Sequence, residues 1–153
     1  KIDSLNQVAE FHRTFNAPIL ETPQIPSKER CELRVSLLQE ELNELKQAIE
    51  DNDLVEIADA LCDLQYVLSG AVLEFGLGEK FVELFNEVQR SNMSKACDTE
   101  LQAQETVEHY KAKGEEAFYE KSGNKFNVHR ISDNKVLKNK YYSAADLKSI
   151  IEK

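Results

Sequence analysis

The sequence predicts an all-α helical bundle with a small β-hairpin near its C-terminal end. Three observations carry this. Apolar residues recur at helical spacing through successive stretches before Gly114, and one of those stretches is apolar nearly all the way round. After Gly114 the pattern changes to short alternating runs broken by turn residues. At 153 residues the chain reads as one domain, with residues 1–113 as helical core and 114–153 as hairpin and terminal helix.

Leu5, Val8, Phe11, His12 and Phe15 predict a first amphipathic helix from Ser4 to Phe15, capped by Asp3 or Ser4. All three prolines, Pro18, Pro23 and Pro26, then fall between Ala17 and Ser27, which excludes helix and predicts an extended surface connection. Ser27 is placed to cap a second helix over about Lys28 to Asp51, with Leu38, Leu42, Leu45 and Ile49 as its core face. Asp53 restarts the chain as a third helix, Leu54 to Phe75, which Gly76 and Gly78 end. Phe81, Val82, Leu84, Phe85 and Val88 predict a fourth over about Glu79 to Asn92. Asp98 or Thr99 caps a fifth, which Gly114 stops after Lys113. Phe118 and Tyr119, the turn residues Ser122-Gly123-Asn124, and Phe126, Val128 and Ile131 read as strand, turn, strand. Asp133-Asn134 and Val136-Leu137 follow. Ser143-Ala144-Ala145-Asp146 resembles a capping box for a last helix running to Lys153.

The third helix carries the chemistry. A helix apolar most of the way round is a buried helix, yet Glu56, Asp59, Asp63 and Tyr66 fall on one stripe of it. Buried carboxylates need cations. The second helix adds more acid, with Glu41 and Glu44 flanking its core face and Glu40 alongside. If the two helices pack antiparallel across residues 50–53, four or more carboxylates converge with no basic partner nearby in sequence. Such a set suits a hard divalent cation such as Mg²⁺, with Mn²⁺ as a substitute, since both take oxygen ligands and leave positions for water and phosphate.

Composition narrows the function. A net charge of −9 and a pI near 4.9 argue against binding a nucleic-acid polymer. Cys31, Cys62 and Cys97, odd in number and without metal-type spacing, read as reduced thiols of a cytoplasmic protein. No apolar stretch is long enough to span a membrane and no signal-peptide pattern appears, although the sequence opens at Lys1 without a methionine.

The strings EELNEL, Glu40 to Leu45, and EIADALCDL, Glu56 to Leu64, resemble the EExxE and ExxD motifs of the all-α nucleoside triphosphate pyrophosphohydrolases, the superfamily of MazG and phosphoribosyl-ATP pyrophosphohydrolase. Eleven residues separate Glu44 from Glu56, which suits a helical hairpin. VAEFHRTFNAP, DALCDLQYVLSG, RSNMSK and KVLKNKYYSAADL extend the likeness to the MazG-like branch over most of the chain. The resemblance implies Mg²⁺ held by Glu41, Glu44, Glu56 and Asp59, and cleavage of a nucleoside triphosphate between its α- and β-phosphates. It also implies a homodimer or homotetramer, in keeping with the apolar surface that one chain leaves on its long helices. Glu40 and Glu41 are then the catalytic candidates: Glu41 accepts the proton of the attacking water, and Glu40 orients a ligand or that water. Asp63 is placed for a further Mg²⁺ or a sugar hydroxyl, and Arg90, Asn92 and Lys95 for phosphate contacts. Asn43 stands where many relatives have glycine.

Structural alternatives accompany these assignments. Asp53-x-x-Glu56 is also a capping box, and Glu40, Glu41 and Glu44 also fit a solvated surface with Glu44 paired to Lys46. Arg90 and Lys95 also suit a helix C-terminus. Tyr66 reads as core, and His12, His109 and His129 are assigned no chemistry. Lys138 and Tyr141 either reach the active site or only pack the hairpin. A di-iron bundle is disfavoured because no histidine follows a glutamate by three. A non-catalytic helical interaction module remains the other class of reading, as does phosphoribosyl-ATP as substrate.

Overall fold

The computed structural model describes residues 2–153. Its described residues form α1 (Ser4–Thr14), α2 (Lys28–Glu50), α3 (Leu54–Glu74), α4 (Phe81–Met93), α5 (Glu100–Lys111), β1 (Ala117–Ser122), β2 (Lys125–Arg130), β3 (Val136–Leu137) and α6 (Leu147–Ile151). The expected mostly helical architecture with a small C-terminal β element is thus what folds. The chain divides into two compact units, the first ending at Phe81 and the second running Val82–Lys153.

In the first unit α2 packs against α3 and α1 packs on α3. The Ser27 hydroxyl accepts from the Arg30 amide to open α2. Between α2 and α3 Asn52 turns the chain at φ 55°, and Asp53 accepts from the Glu56 amide at 3.1 Å. The proline-bearing connection is tied back to the end of α3 through Leu20 N–H to Leu73 O and Gln24 N–H to Phe75 O. At Gly76, φ +70°, an added Cβ would lie 1.9 Å from the Thr22 carbonyl oxygen, so glycine is required on two counts.

Burial departs from the periodicity. Of α3, only Ala60 and the C-terminal run from Ser69 are buried, apart from half-buried Ala71. Leu54 and Val55 are more than three-quarters exposed, and Leu61, Tyr66 and Leu68 are also exposed. On α2 Leu42 and Ile49, expected in the core, are exposed too. Among the described residues of this unit the α2–α3 pair is covered by α1 alone, on α3, and the small apolar cluster of Val8, Ala9 and Leu73 lies at the α1 end.

That end also holds an ion cluster. Glu74 is 1% exposed and accepts from Arg30 Nε at 2.7 Å, while the guanidinium of buried Arg34 lies 3.9 Å from its other oxygen. Burial lowers the Arg34 pKa; Glu74 opposes that shift and neighbouring Arg30 adds to it. Gly70 leaves room for this guanidinium, since a Cβ there would meet Arg34 Nη2 at 2.5 Å and His12 Nε2 at 3.0 Å. His12 is itself buried, with Nδ1 2.9 Å from the Pro18 carbonyl oxygen.

The second unit holds α4, α5, α6 and an antiparallel sheet in the order β1-β2-β3. The expected small C-terminal β element forms, and Asn134 at φ 60° lets the chain turn again so that Val136 pairs with His129. The β1–β2 turn is Gly123-Asn124, with Gly123 at φ 60°. Cys97, Ala103, Ala117, Val128 and Leu137 form the core, with Val107 and Tyr110 packed against it. The helix-opening role expected of Ser143 falls to Asp146, whose carboxylate accepts from the Ser149 amide. Ser143 is engaged elsewhere, its amide bonded to Ser94 Oγ at 3.0 Å.

Removing one partner of a buried ion pair strands the others, so Glu74→Gln is expected to destabilise the protein by about 3 kcal/mol. Urea unfolding checks this; a loss under about 1 kcal/mol would mean that the arginines are adequately solvated without Glu74.

Candidate metal centre

Antiparallel packing of α2 on α3 sets the acids of one helix opposite those of the other. Glu41 and Glu44, three apart, share a face of α2. One carboxylate oxygen from each of Glu41, Glu44 and Asp63 lies within 4.8 Å of the other two. Glu41 is half-buried, and its Oε2 is shut off from solvent with no hydrogen-bond partner. Burial pushes the Glu41 carboxyl up to about 7, helped by a hydrogen bond with Glu44 and by the charges of Glu44, Asp63 and Glu40. Asp63 is also raised, first by burial and then by Asp59 and Glu44.

Glu44 also borders an adjoining cleft of about 250 Å³, lined by Gln47, Ala48, Asp51, Glu56, Asp59 and Ala60. Ala48 and Ala60 are both buried, which lets the helix backbones approach beneath the carboxylates. The Asp53 amide bonds to the Ala48 carbonyl, so Asp53 caps α3 while the Glu56 carboxylate stays at the cleft. Among the described residues none of Glu40, Glu41, Glu44, Glu56, Asp59 and Asp63 forms an ion pair, and Lys46 does not neutralise Glu44. An orphaned, shielded carboxylate oxygen among like charges fits a divalent cation with oxygen ligands.

The structure thus brings Glu41, Glu44 and Asp63 together and sets Glu56 and Asp59 in the cleft that Glu44 shares. Asp63, read from sequence as a substrate group, lies with the metal candidates. Glu40 is exposed and lines a different groove with Cys31, Val35, Gln39 and Asn43. Gln47 and Asp51 were not singled out in the sequence, although their spacing of three and seven from Glu44 places them on its face. Arg90, Asn92 and Lys95 belong to the second unit. Arg90 is paired with Glu87 at 2.6 Å and also donates to the Ala144 carbonyl, and Lys95 donates to Asn92 Oδ1 at 3.0 Å. Tyr66 stays exposed and meets Phe11 edge-on, with ring centroids 5.5 Å apart.

Residues 8–92, which include every one of these acids, match the phosphoribosyl-ATP pyrophosphohydrolase family. The chain belongs to that family. Its membership, with the acidic cluster, supports metal-assisted, hydrolase-type catalysis at the level of the superfamily. The chain is also similar to an uncharacterized protein of Acanthamoeba polyphaga mimivirus, 24% identical over 243 aligned positions that cover 99% of this chain and 97% of the viral one. Since that alignment is longer than this chain, the relative carries inserted segments without a counterpart here.

The raised Glu41 pKa sets two pH dependences. A carboxyl of pKa about 7 in the folded protein and about 4.5 when unfolded gives stability that is fully present below pH 4.5 and lost as pH rises through 7. Without metal, Glu41→Gln is therefore expected to raise the melting temperature at pH 8 and to leave it nearly unchanged at pH 4. A divalent cation held by this cluster would compete with the proton, so calorimetric titration with Mg²⁺ should find an affinity that falls as pH drops from 8 to 6. Equal affinity at both pH values would remove Glu41 from the ligand set.

Proposed function

We propose that the protein hydrolyses a nucleoside triphosphate between its α- and β-phosphates, releasing the monophosphate and pyrophosphate. A deoxynucleotide or noncanonical nucleotide is the expected substrate, as in cleansing of the cytoplasmic nucleotide pool. The observation that carries this reading is the convergence of Glu41, Glu44 and Asp63 around a carboxylate oxygen that nothing in the described protein satisfies. Glu41, Glu44, Glu56 and Asp59 would hold Mg²⁺, with Asp63 joining them. Bound there, the ion would neutralise charge on the polyphosphate and make a water more acidic. Glu41, whose Oε2 is shut off from solvent with no protein partner, would accept the proton of the attacking water as the phosphoanhydride bond breaks. Glu40 adds negative charge beside it. Arg90, Asn92 and Lys95 remain the proposed phosphate contacts, Arg90 on condition that it leaves Glu87.

The exposed apolar residues of α2 and α3 support assembly as a homodimer or homotetramer. The family match supports a second substrate, phosphoribosyl-ATP, cleaved by the same bond chemistry.

A panel of canonical and modified NTPs and dNTPs, with phosphoribosyl-ATP as a separate arm, distinguishes these. We expect monophosphate and pyrophosphate from one nucleotide class, lost in EDTA and restored by Mg²⁺ or Mn²⁺. Glu41→Gln and Asp59→Asn should each lower the rate by at least about a hundredfold with the helical signal retained. Turnover of phosphoribosyl-ATP alone would replace the first substrate by the second. Unchanged rates in both variants would overturn the assigned site.

A further inference from the structure

The segment after β3 is built onto the end of α4 with more care than a tail requires. Asn139, buried, donates from its amide to the Lys95 carbonyl at 2.9 Å and from Nδ2 to the Ala96 carbonyl at 3.2 Å. Its Oδ1 accepts from the fully buried Thr106 hydroxyl and from the Tyr141 amide. Tyr110 Oη donates to the Lys138 carbonyl at 2.8 Å, which fixes the backbone on the other side. Ser91 Oγ then meets Tyr142 Oη at 3.2 Å, and Ser94 Oγ receives the Ser143 amide.

The result is a cationic spot on an acidic chain. Lys138 Nζ lies 4.7 Å from the centroid of the Tyr142 ring. The Ser91 bond first, and then the charges of Lys138, Lys95 and Arg90, hold the Tyr142 hydroxyl below the usual phenol range, with burial opposing them. Arg90 is committed to Glu87, whose carboxyl Arg90 and the Asp146 amide hold down at about 2. Lys95 and Lys138 make no ion pair among the described residues. Two ammonium groups without an ion pair, Lys95 oriented by its bond to Asn92 Oδ1, therefore bear on one hydroxyl, a donor set suited to an oxyanion.

We propose that Lys138, Lys95 and the Tyr142 hydroxyl form a binding site for phosphate-type oxyanions, completed by the segment that follows β3. The site lies largely outside the stretch that carries the family match, and it extends the expected phosphate contacts by Lys138 and Tyr142. Its existence is argued from the second unit alone; taking its natural occupant to be a nucleotide's polyphosphate rests on the hydrolysis proposed above.

The test is calorimetric titration of inorganic pyrophosphate into the full chain in EDTA at low ionic strength. The native protein should bind, and Lys138→Gln and Lys95→Gln should each weaken binding by roughly tenfold. Lys138→Arg should bind within about threefold of the native protein. A nucleoside triphosphate should displace pyrophosphate, and the corresponding nucleoside should not; displacement by the nucleoside would show that the contact is to the base. Lys138 is exposed, so a melting curve serves only to confirm that its variants are folded. No pyrophosphate binding by the native protein, or native-like binding by both glutamine variants, would overturn the site. Binding that follows this pattern in a protein without turnover on the nucleotide panel would retain the site and remove the hydrolase reading.

Discussion

The geometry of the first unit depends on the antiparallel register of α2 against α3. At one end of that pair Glu74 is locked between Arg30 and Arg34; further along, Glu41, Glu44 and Asp63 face one another unneutralised. The two ends are complementary in their energetics. The compensated cluster fixes how the helices slide past each other, because the guanidinium of Arg34 sits in the space that Gly70 leaves by having no side chain. That register brings the carboxylates into opposition, and the repulsion it creates is small enough for the rest of the unit to hold.

Much of this was legible in the sequence because it follows from local rules. The caps at Ser27, Asp53 and Thr99 form as their residue types require. Gly76 ends α3 for a reason visible in its neighbours, and the proline run stays free of helix. The acids at 41, 44, 56, 59 and 63 could be assigned to one region from helical spacing and the short turn between the helices. Spacing alone could not rank them. Which carboxylates touch depends on the axial offset between the helices, and side-chain periodicity carries no information on that offset; hence Asp63 joins Glu41 and Glu44 while Glu56 and Asp59 border the cleft beside them.

Other features were hidden for related reasons. Arg30 and Arg34 look like ordinary surface cations on an acidic helix, and their partner lies 44 residues beyond Arg30. The third strand is only two residues long, and it was the Asp133-Asn134 turn before it that marked its place. Asn139 gives no signal in a string of lysines and tyrosines, yet its side chain ties two stretches of backbone together. The apolar positions of α3 were correctly seen as apolar, but a hydrophobic pattern does not say whether the covering surface comes from the same chain.

The buried pair Ala48 and Ala60 has a consequence for ion choice. Two small methyl groups are buried in the lining of the acid cleft, where their size would bear on how wide an ion the carboxylates could hold at once. Mg²⁺ and Ca²⁺ differ mainly in radius and in how strictly they hold to octahedral coordination. A larger side chain at either alanine would alter the room in that cleft without altering any charge, so that if the carboxylates hold an ion, its size would be read by small apolar neighbours as well as by the ligands.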